Sequence, residues 1–294
     1  MGFSLVRARS RRLSMVVFAT VVALAGAAAS AAGSARAQLG RVVVRQAPVA
    51  HGQFPHLTHA ALNTNTSQNW FGYNLGTLER NGMLFHSITG DWTVPTATAH
   101  VRGQDEASSD WIGIGGGCVD AGCAVTDNTL IQTGTEQDVD SAGHASYSAW
   151  WEVIPGPSLT ITMTVAPRDH MHASIAEVAS NSDLWNITLK DVTRGHSFTI
   201  TVPYPSTLLT AEWIEETPLE IYPNPGLALL PNLTSPRVDL GTVNGSNARL
   251  KAAERMLLTD SSGTQVIGTP SSPDADTDGF NACAWATSCS VPAS

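Results

Sequence analysis

The chain has 294 residues with 25 acidic and 16 basic side chains, which gives a formal net charge of −9 at pH 7. So acidic a chain is a poor partner for nucleic acid, whose phosphates attract basic surfaces. Charged residues make up 14% of the chain, against roughly a quarter in ordinary globular proteins. Protonation of the carboxylates would therefore leave only a modest repulsion between positive groups. The composition is compatible with a protein that stays folded in acid.

The first 37 residues have the arrangement of a secretory signal peptide. Four arginines between Arg7 and Arg12 precede an apolar run at residues 15–27, and small residues follow up to Ala37. The apolar run is too short to span a membrane comfortably. We therefore expect cleavage after Ala37, by the Sec or the twin-arginine route, and a secreted protein, extracellular or periplasmic, without a membrane anchor. Loss of this segment leaves 11 basic against 25 acidic residues, a formal charge of −14.

Residues 38–66 lack sustained periodicity and are interrupted by Pro55 and Asn63, which predicts a linker or a short pro-segment. Residues 67–294 are predicted to form one domain of short strands. Within it, residues 158–165, 185–190 and 197–202 alternate apolar side chains with polar ones, many of them threonine or serine. Such alternation is typical of antiparallel strands with one wet face. Many such strands indicate an all-β sandwich or barrel.

Two segments interrupt this rhythm. Five prolines between Pro218 and Pro236 predict a long surface loop. Residues 274–279 have the sequence Asp-Ala-Asp-Thr-Asp-Gly, the first half of an EF-hand calcium loop, but its twelfth position is Trp285 instead of Glu. No flanking helices are predicted, so the sequence alone favours a solvated acidic turn at Asp274, Asp276 and Asp278 over a calcium site.

The four cysteines form two close pairs along the chain, Cys118 with Cys123 and Cys283 with Cys289. Exported proteins meet oxidising conditions that favour disulfides, and four cysteines allow three connectivities. Zinc ligation would favour CxxC-like spacing, and neither pair has a histidine beside it. We therefore predict two local disulfides and no metal.

Three strand-like segments place polar groups among aromatic residues, at 130–136, 147–153 and 211–216. Common hydrolase motifs such as GxSxG and HExxH are missing, and the glycine run at residues 113–117 predicts a tight β-turn. Strand alternation puts several of the polar residues on shared faces: Gln132 with Glu136, Trp150 with Glu152, and Glu212 with Glu216. If these faces line one groove, it suits the binding and hydrolysis of a polymer.

Six short motifs follow one another along the chain. They are Asn-Trp-Phe-Gly-Tyr at 69–73, Trp-Thr-Val-Pro at 92–95, Asp-Trp-Ile-Gly-Ile at 110–114, Ile-Gln-Thr-Gly at 131–134, Ala-Trp-Trp-Glu at 149–152 and Ala-Glu-Trp-Ile at 211–214. In this order they resemble the glutamic peptidases, or eqolisins, of the scytalidoglutamic peptidase type. The resemblance covers the chain up to about residue 243.

The resemblance implies a sandwich of two antiparallel sheets, of the concanavalin A-like or jelly-roll type, without metal or cofactor. It also implies an acid endopeptidase that acts on proteins or peptides and that pepstatin does not block, and we expect a monomer. Glu212 would be the general base that activates water, and Gln132 would orient that water and stabilise the oxyanion. Substrate-binding or supporting roles would fall to Trp111, Glu136, Trp150, Glu152 and Trp213.

A carboxylate and a neutral amide can together deprotonate water and stabilise charge on a carbonyl oxygen. A carboxylate of near-normal pKa is partly ionised in mild acid, so we expect Glu212 to keep a pKa near its ordinary value. The sequence departs from the family pattern at Gly115, where an aspartate is common, and at Glu136, near an aspartate position of fungal members. Both departures bear on the hydrogen-bond network around the pair.

Two other functions share the expected fold. A carbohydrate-binding module would stack sugars on the tryptophans, and a glycoside hydrolase would use Glu152 and Glu212 as its carboxylate pair. Neither function requires Gln132, which favours the peptidase. Taken singly, each polar residue is more often a solvated strand residue and each tryptophan a core residue. Their ordered occurrence in one chain favours a functional site.

Overall fold

The protein is described from a computed structural model, which covers residues 49–50, 64–220 and 226–293. All of these residues belong to the compact unit formed by residues 40–294. The predicted signal peptide, residues 1–37, lies outside the described residues. Within the described residues, the regular structure is β apart from one short 3₁₀ helix, Ala252–Glu254, and none of it is a helix long and apolar enough to cross a membrane.

The strands in chain order are β1 (Val49–Ala50), β2 (Thr64–Ser67), β3 (Trp70–Gly76), β4 (Ser87–Thr93), β5 (Ala97–Thr98), β6 (Glu106–Gly115), β7 (Leu130–Val139), β8 (Ala145–Val153), β9 (Leu159–Ile161), β10 (His170–Glu177), β11 (Leu184–Asp191), β12 (His196–Pro203), β13 (Thr210–Glu216), β14 (Leu219–Glu220), β15 (Gly226–Leu227), β16 (Asn232–Leu233), β17 (Arg237–Val243), β18 (Ser246–Asn247), β19 (Arg255–Thr259), β20 (Val266–Pro270) and β21 (Phe280–Ala284).

Two large sheets make up the fold. The first has the strand order β20-β19-β3-β13-β6-β7-β8-β9, and the second has the order β12-β11-β10-β4-β17. Strand β21 pairs with both β20 and β17 and so joins the two sheets along one side. The pairs are antiparallel except for β2, which runs parallel to β19. This architecture confirms the predicted all-β sandwich.

The core lies between the two sheets, because apolar side chains alternate along the strands that face each other. Ile112 and Ile131 of the first sheet and Ile175 of the second are buried in this cluster. Two tryptophans cross the core and tie the sheets together through their indole N–H groups. Trp92 of β4 donates to the Thr135 hydroxyl at 2.9 Å, and Trp213 of β13 donates to the Thr89 carbonyl at 2.8 Å.

The opposite face of the first sheet carries a second, smaller set of buried apolar side chains, which are Trp70, Trp111, Cys118, Cys123, Leu130, Trp150, Ile214 and Met256. Hydrophobic and polar residues share this outer face, whereas most solvent-facing sheet surfaces are polar. The outer face of the first sheet is therefore where a functional site is expected.

Most of the strand predictions are confirmed. The segments predicted at 185–190 and 197–202 form β11 and β12. The segment predicted at 158–165 is shorter, because the strand ends at Ile161, where the Met163 N–H bonds back to the Ile161 carbonyl at 2.8 Å. The prolines of residues 218–236 are accompanied by the two-residue strands β14, β15 and β16, so this loop is partly paired, and its residues 221–225 lie outside the described residues.

The predicted linker at residues 38–66 contains two short strands. Strand β2 begins at Thr64 and pairs with β19, so the domain extends slightly before residue 67, and β1 pairs with β14. The remainder of the linker before Thr64 lies outside the described residues. Both predicted disulfides are present, Cys118 with Cys123 and Cys283 with Cys289.

Candidate active site

One polar row crosses the outer face of the first sheet. In register on β3, β13, β6, β7 and β8 lie Asn74, Glu212, Gly113, Gln132 and Glu152. Residues directly opposite one another in an antiparallel sheet point to the same face. Adjacent strands are about 4.8 Å apart, so the backbones at Glu212 and Gln132 are about 10 Å apart, with only a glycine between them. The structure therefore brings both members of the predicted pair to one place.

Gln132 and Glu152 are joined directly. The Gln132 Nε2 donates a hydrogen bond to Glu152 Oε2 at 2.7 Å, and both side chains are fully buried. A short hydrogen bond between two buried side chains holds both in one geometry. Glu152 therefore fixes the orientation of the Gln132 amide.

Two glycines give the Glu212 carboxylate its space. A Cβ atom placed on Gly113 would lie 2.9 Å from Glu212 Oε1, and one placed on Gly117 would lie 3.1 Å from Glu212 Oε2. Real Cβ atoms do not come closer than about 3 Å to such atoms without something moving. The glycine run predicted as a tight turn thus lines the site, and its first three residues continue β6.

The loop closed by the Cys118–Cys123 disulfide is held next to Glu212 by Asn74. The Asn74 side chain accepts the Cys118 N–H at 2.8 Å and donates to the Cys118 carbonyl at 2.7 Å. A Cβ atom on Gly117 would lie only 1.7 Å from Asn74 Oδ1. Asn74 and Gly117 therefore fit together as one unit that encloses the carboxylate from the side opposite Gln132.

Glu212 lies in an environment that disfavours its charge. The side chain is fully buried, and among the described residues neither carboxylate oxygen has a hydrogen-bond partner of ordinary geometry. Burial raises the pKa of Glu212 well above its ordinary value, the charge of Asp127 raises it further, and the nearby Thr210 hydroxyl offsets part of the shift. The prediction of a near-normal pKa for Glu212 is therefore wrong, because the sequence did not show how deeply the strand is buried.

A second row on the same face is aromatic. Trp111 and Trp150 face each other across Gly134, the residue in register with both. The Trp111 indole donates to Glu216 Oε2 at 2.8 Å, and the Trp150 indole donates to the Ser109 hydroxyl at 3.0 Å. Both rings are 2% exposed or less, so their orientation is fixed beside the polar row.

The remaining predicted site residues are placed differently. Glu136 shares the outer face and pairs in register with Ser109, but it is four residues along β7 from Gln132, about 13 Å away. Trp213 lies on the core side of β13, where it is buried and bonds to β4. The Trp213 ring thus lies on the face opposite to Glu212, since alternation points it away from this neighbour.

Several residues of the site were not predicted from the sequence. Burial is the larger cause of the raised pKa of Glu212, and the charge of Asp127 adds to it. Asn74 lies beside Glu212 on the neighbouring strand β3. The glycine run at residues 113–117 was the feature of the sequence that could have indicated them. Glycines in strands often mark places where the backbone closely approaches another group. Gly115 cannot carry the aspartate common in the family, since its φ is +95° and a Cβ would lie 1.9 Å from the Thr129 carbonyl oxygen.

The model of the peptidase A4 family matches residues 68–285, which include every residue of the polar row. The chain belongs to this family, the eqolisins. It is a glutamic endopeptidase. No curated protein sequence matches the chain.

Two solved structures resemble this eqolisin. One is scytalido-glutamic peptidase with a transition state analog inhibitor, at 17% identity and a TM-score of 0.57, covering 74% of this chain and 98% of the other. The second is SCP-B, a member of the eqolisin family in a complex with the tripeptide Ala-Ile-His, at 17% identity and a TM-score of 0.53, with the same coverage. At this identity the likeness shows the common fold.

Proposed function

We propose that this eqolisin is exported and cleaves peptide bonds within protein substrates in mildly acidic surroundings, with Glu212 and Gln132 as its catalytic pair. The single observation that supports this most is the row in which Glu212, Gly113, Gln132 and Glu152 lie side by side on one face of the sheet. The row puts a desolvated carboxylate and an oriented amide on either side of Gly113, which has no side chain of its own to separate them. The Trp111 ring and the Leu130 side chain pack over this glycine.

The proposed mechanism uses the two side chains in different roles. Ionised Glu212 takes a proton from a water molecule that attacks the carbonyl carbon of the substrate. The Gln132 amide, held by Glu152, donates to the carbonyl oxygen as negative charge develops there. Glu212 then gives its proton to the departing amine, so that the carboxylate is restored. Each proton taken up by Glu212 is released in the same cycle.

The raised pKa of Glu212 sets the pH range of the proposed reaction. A general base must be ionised, and its strength as a base increases with its pKa. Because burial and Asp127 raise the pKa of Glu212, the acid limb of the pH profile is expected above the ordinary glutamate value of about 4.3. The proposed reaction is therefore expected to need a pH above that value.

The glycoside hydrolase alternative fits this geometry poorly. Glu152 and Glu212 belong to β8 and β13, and β7 and β6 lie between these two strands. In addition, Glu152 binds Gln132, which a sugar-cleaving pair does not require. The tripeptide Ala-Ile-His in the similar SCP-B structure supports a peptide as the ligand.

The reaction is tested by incubating the purified mature chain with a denatured protein over a range of about pH 3 to 7. We expect internal cleavage, identified by mass spectrometry of the peptides, with and without pepstatin. The Glu212→Gln variant, expressed and purified in the same way, is the matched control. Equal cleavage by that variant would show that another protease or another base is responsible.

Export is tested separately. The chain is expressed with its own N-terminus, and the protein from the medium or periplasm is sequenced from its first residue. We expect a start at Gln38, since cleavage after Ala37 fits the small-residue rule. Retention of the whole chain in the cytoplasm would contradict the proposal.

A further inference from the structure

A group of three aspartates lies away from the polar row. Asp239 belongs to β17, whereas Asp274 and Asp278 belong to the loop that precedes β21, and one carboxylate oxygen of each lies within 4.8 Å of the others. Calcium binds oxygen at about 2.3 to 2.6 Å, so two of its ligands are at most about 5 Å apart. The three oxygens are therefore spaced as ligands of one ion.

Asp274 provides a second observation that points to a ligand. Its side chain is only 4% exposed. Its Oδ1 accepts the backbone N–H groups of Asp278 and Gly279, both at 3.2 Å, whereas Oδ2 is buried and has no hydrogen-bond partner among the described residues. Burial of a carboxylate oxygen without a donor is unfavourable. The turn predicted to be solvated thus has a buried acid at its first position.

Two of the three carboxylates have an oxygen beside Gly279, where the residue has no side chain. A Cβ atom on Gly279 would lie 2.4 Å from Asp274 Oδ2 and 2.9 Å from Asp239 Oδ1. Asp278 Oδ1 is also buried without a partner, while its other oxygen accepts a hydrogen bond from Asn247 at 3.1 Å. Each carboxylate therefore keeps one oxygen toward the same small volume beside Gly279.

The local charge is unbalanced. Arg237 pairs with the outer oxygen of Asp239 at 2.6 Å, and the inner oxygen accepts only the Leu240 N–H at 3.0 Å. No other salt bridge involves these aspartates within the part of the chain that the structure describes. A divalent cation would neutralise the remaining charge, and an all-oxygen set of ligands suits a hard cation better than zinc or copper.

We propose that Asp239, Asp274 and Asp278 bind a calcium ion, which fastens strand β17 to the loop before β21. The sequence motif lacks the glutamate at its twelfth position, and the fold supplies Asp239 from a different strand in its place. Asp276, the remaining acid of the motif, is exposed and is not one of the three. The ion would stabilise the fold, since it binds the folded state alone. It takes no part in the proposed hydrolysis.

Calcium binding is measured on the purified mature chain after treatment with EDTA, at about pH 6.5, where most aspartates are ionised. Isothermal titration with calcium chloride should show one site per chain, and thermal unfolding followed by circular dichroism should show a Tm higher by a few degrees at saturating calcium. Magnesium is titrated in parallel, and we expect a smaller shift because it requires a more regular octahedron of ligands.

Two ligand variants and one matched control complete the test. Asp239→Asn and Asp278→Asn should lose the heat of binding and the calcium-dependent rise in Tm. Asp183→Asn makes the same chemical change at an exposed position with φ +51° and should keep both. If the original chain gives neither heat nor a Tm shift at millimolar calcium, or if both ligand variants keep the response, the proposal is wrong. The titration of the original chain decides even if a variant does not fold.

Discussion

The Glu212 carboxylate lies against the backbone of Gly113, with Oε1 at 2.9 Å from the position that a Cβ atom would occupy there. Gly113 is also the residue that stands between Glu212 and Gln132 in the sheet. Its missing side chain is therefore part of the site, because the Cβ atom of any larger residue would press on the Glu212 carboxylate.

Substitution of Gly113 by alanine is expected to lower kcat by about 10²-fold, since misplacing a catalytic group by about 1 Å has an effect of this size. The added methyl group would press on the Glu212 carboxylate and on the Trp111 ring. Gly226→Ala is the control, because nothing lies within 4 Å of its Cβ position. Full activity of a folded Gly113→Ala variant would show that catalysis does not depend on the absence of a side chain at position 113.

Glu212→Gln keeps the shape of the side chain but removes the base, and should lower kcat by about 10²- to 10⁴-fold. Gln132→Ala removes a donor to the developing oxyanion and should lower kcat by about 10²- to 10³-fold with KM nearly unchanged. Because both groups act on one transition state, the double variant should lose much less than the product of the two losses. Steady-state kinetics on a fluorogenic peptide measure all three. Strictly multiplicative losses would mean that the two residues act independently.

In the proposed mechanism Glu152 acts through Gln132 and is therefore a positioning residue. Glu152→Gln keeps an acceptor for the amide and should reduce kcat by less than Glu212→Gln does, while Glu152→Ala should approach the loss of Gln132→Ala. The double variant Glu152→Ala with Gln132→Ala separates a positioning role from a merely structural one. If Glu152 acts only through Gln132, the double variant should lose no more kcat than Gln132→Ala alone. If Glu152→Gln abolishes activity and Glu212→Gln does not, the base is Glu152.

Asp127 should control the pH dependence of the reaction. Its negative charge adds to burial in raising the pKa of Glu212. Asp127→Asn removes that charge but keeps an acceptor for the Thr129 N–H and hydroxyl, which bond to Oδ1 at 2.9 Å. The pKa of Glu212 should fall, so the acid limb of the kcat/KM profile should move to lower pH. An unchanged profile in a folded variant would contradict the role of Glu212 as the base.

A carboxyl pair in the core should make the fold less stable as pH rises. Asp110 and Glu215 lie in register on β6 and β13, on the core side of the sheet, and both are almost fully buried. Burial raises the pKa of Asp110 to about 6. Burial and then the charge of Asp110 raise the pKa of Glu215 well above its ordinary value. The folded chain thus holds protons that the unfolded chain releases near pH 4.

The direction of the effect follows from proton linkage. Because the folded state binds more protons than the unfolded state, the stabilisation is fully present below about pH 4 and is lost as pH rises through about 6 and above. The urea midpoint of unfolding should fall over this range. Glu215→Gln, which replaces the neutral acid by a neutral amide, should flatten the dependence, whereas the exposed Glu79→Gln should not. A urea midpoint that rises between pH 4 and 7 would refute this account.

The sequence determined the class of the fold and predicted Gln132 and Glu212 as the catalytic pair. Alternation in residues 130–136 and 211–216 was enough to place Gln132 and Glu212 on single faces of their strands, because the period of two is a property of the backbone itself. The same rule places Trp213 on the opposite face from Glu212, whereas the motif resemblance assigned both residues to the site. The two disulfides also followed from the sequence, since only four and five residues lie between the cysteines of the two pairs.

Only the tertiary structure decided which faces meet and how deeply they are buried. Gly113 and Asn74 enter the site through strand order, because β6 and β3 lie on either side of β13 although they are distant from it in the chain. The raised pKa of Glu212 depends on desolvation and on Asp127, and both are sums over neighbours that no local pattern contains. Asp239 likewise lies close to Asp274 because β17 pairs with β21, the strand that follows the loop of Asp274. The position of a residue along a strand decides to which face its side chain points. The strands that pack around it decide how deeply it is buried and which charges lie near it.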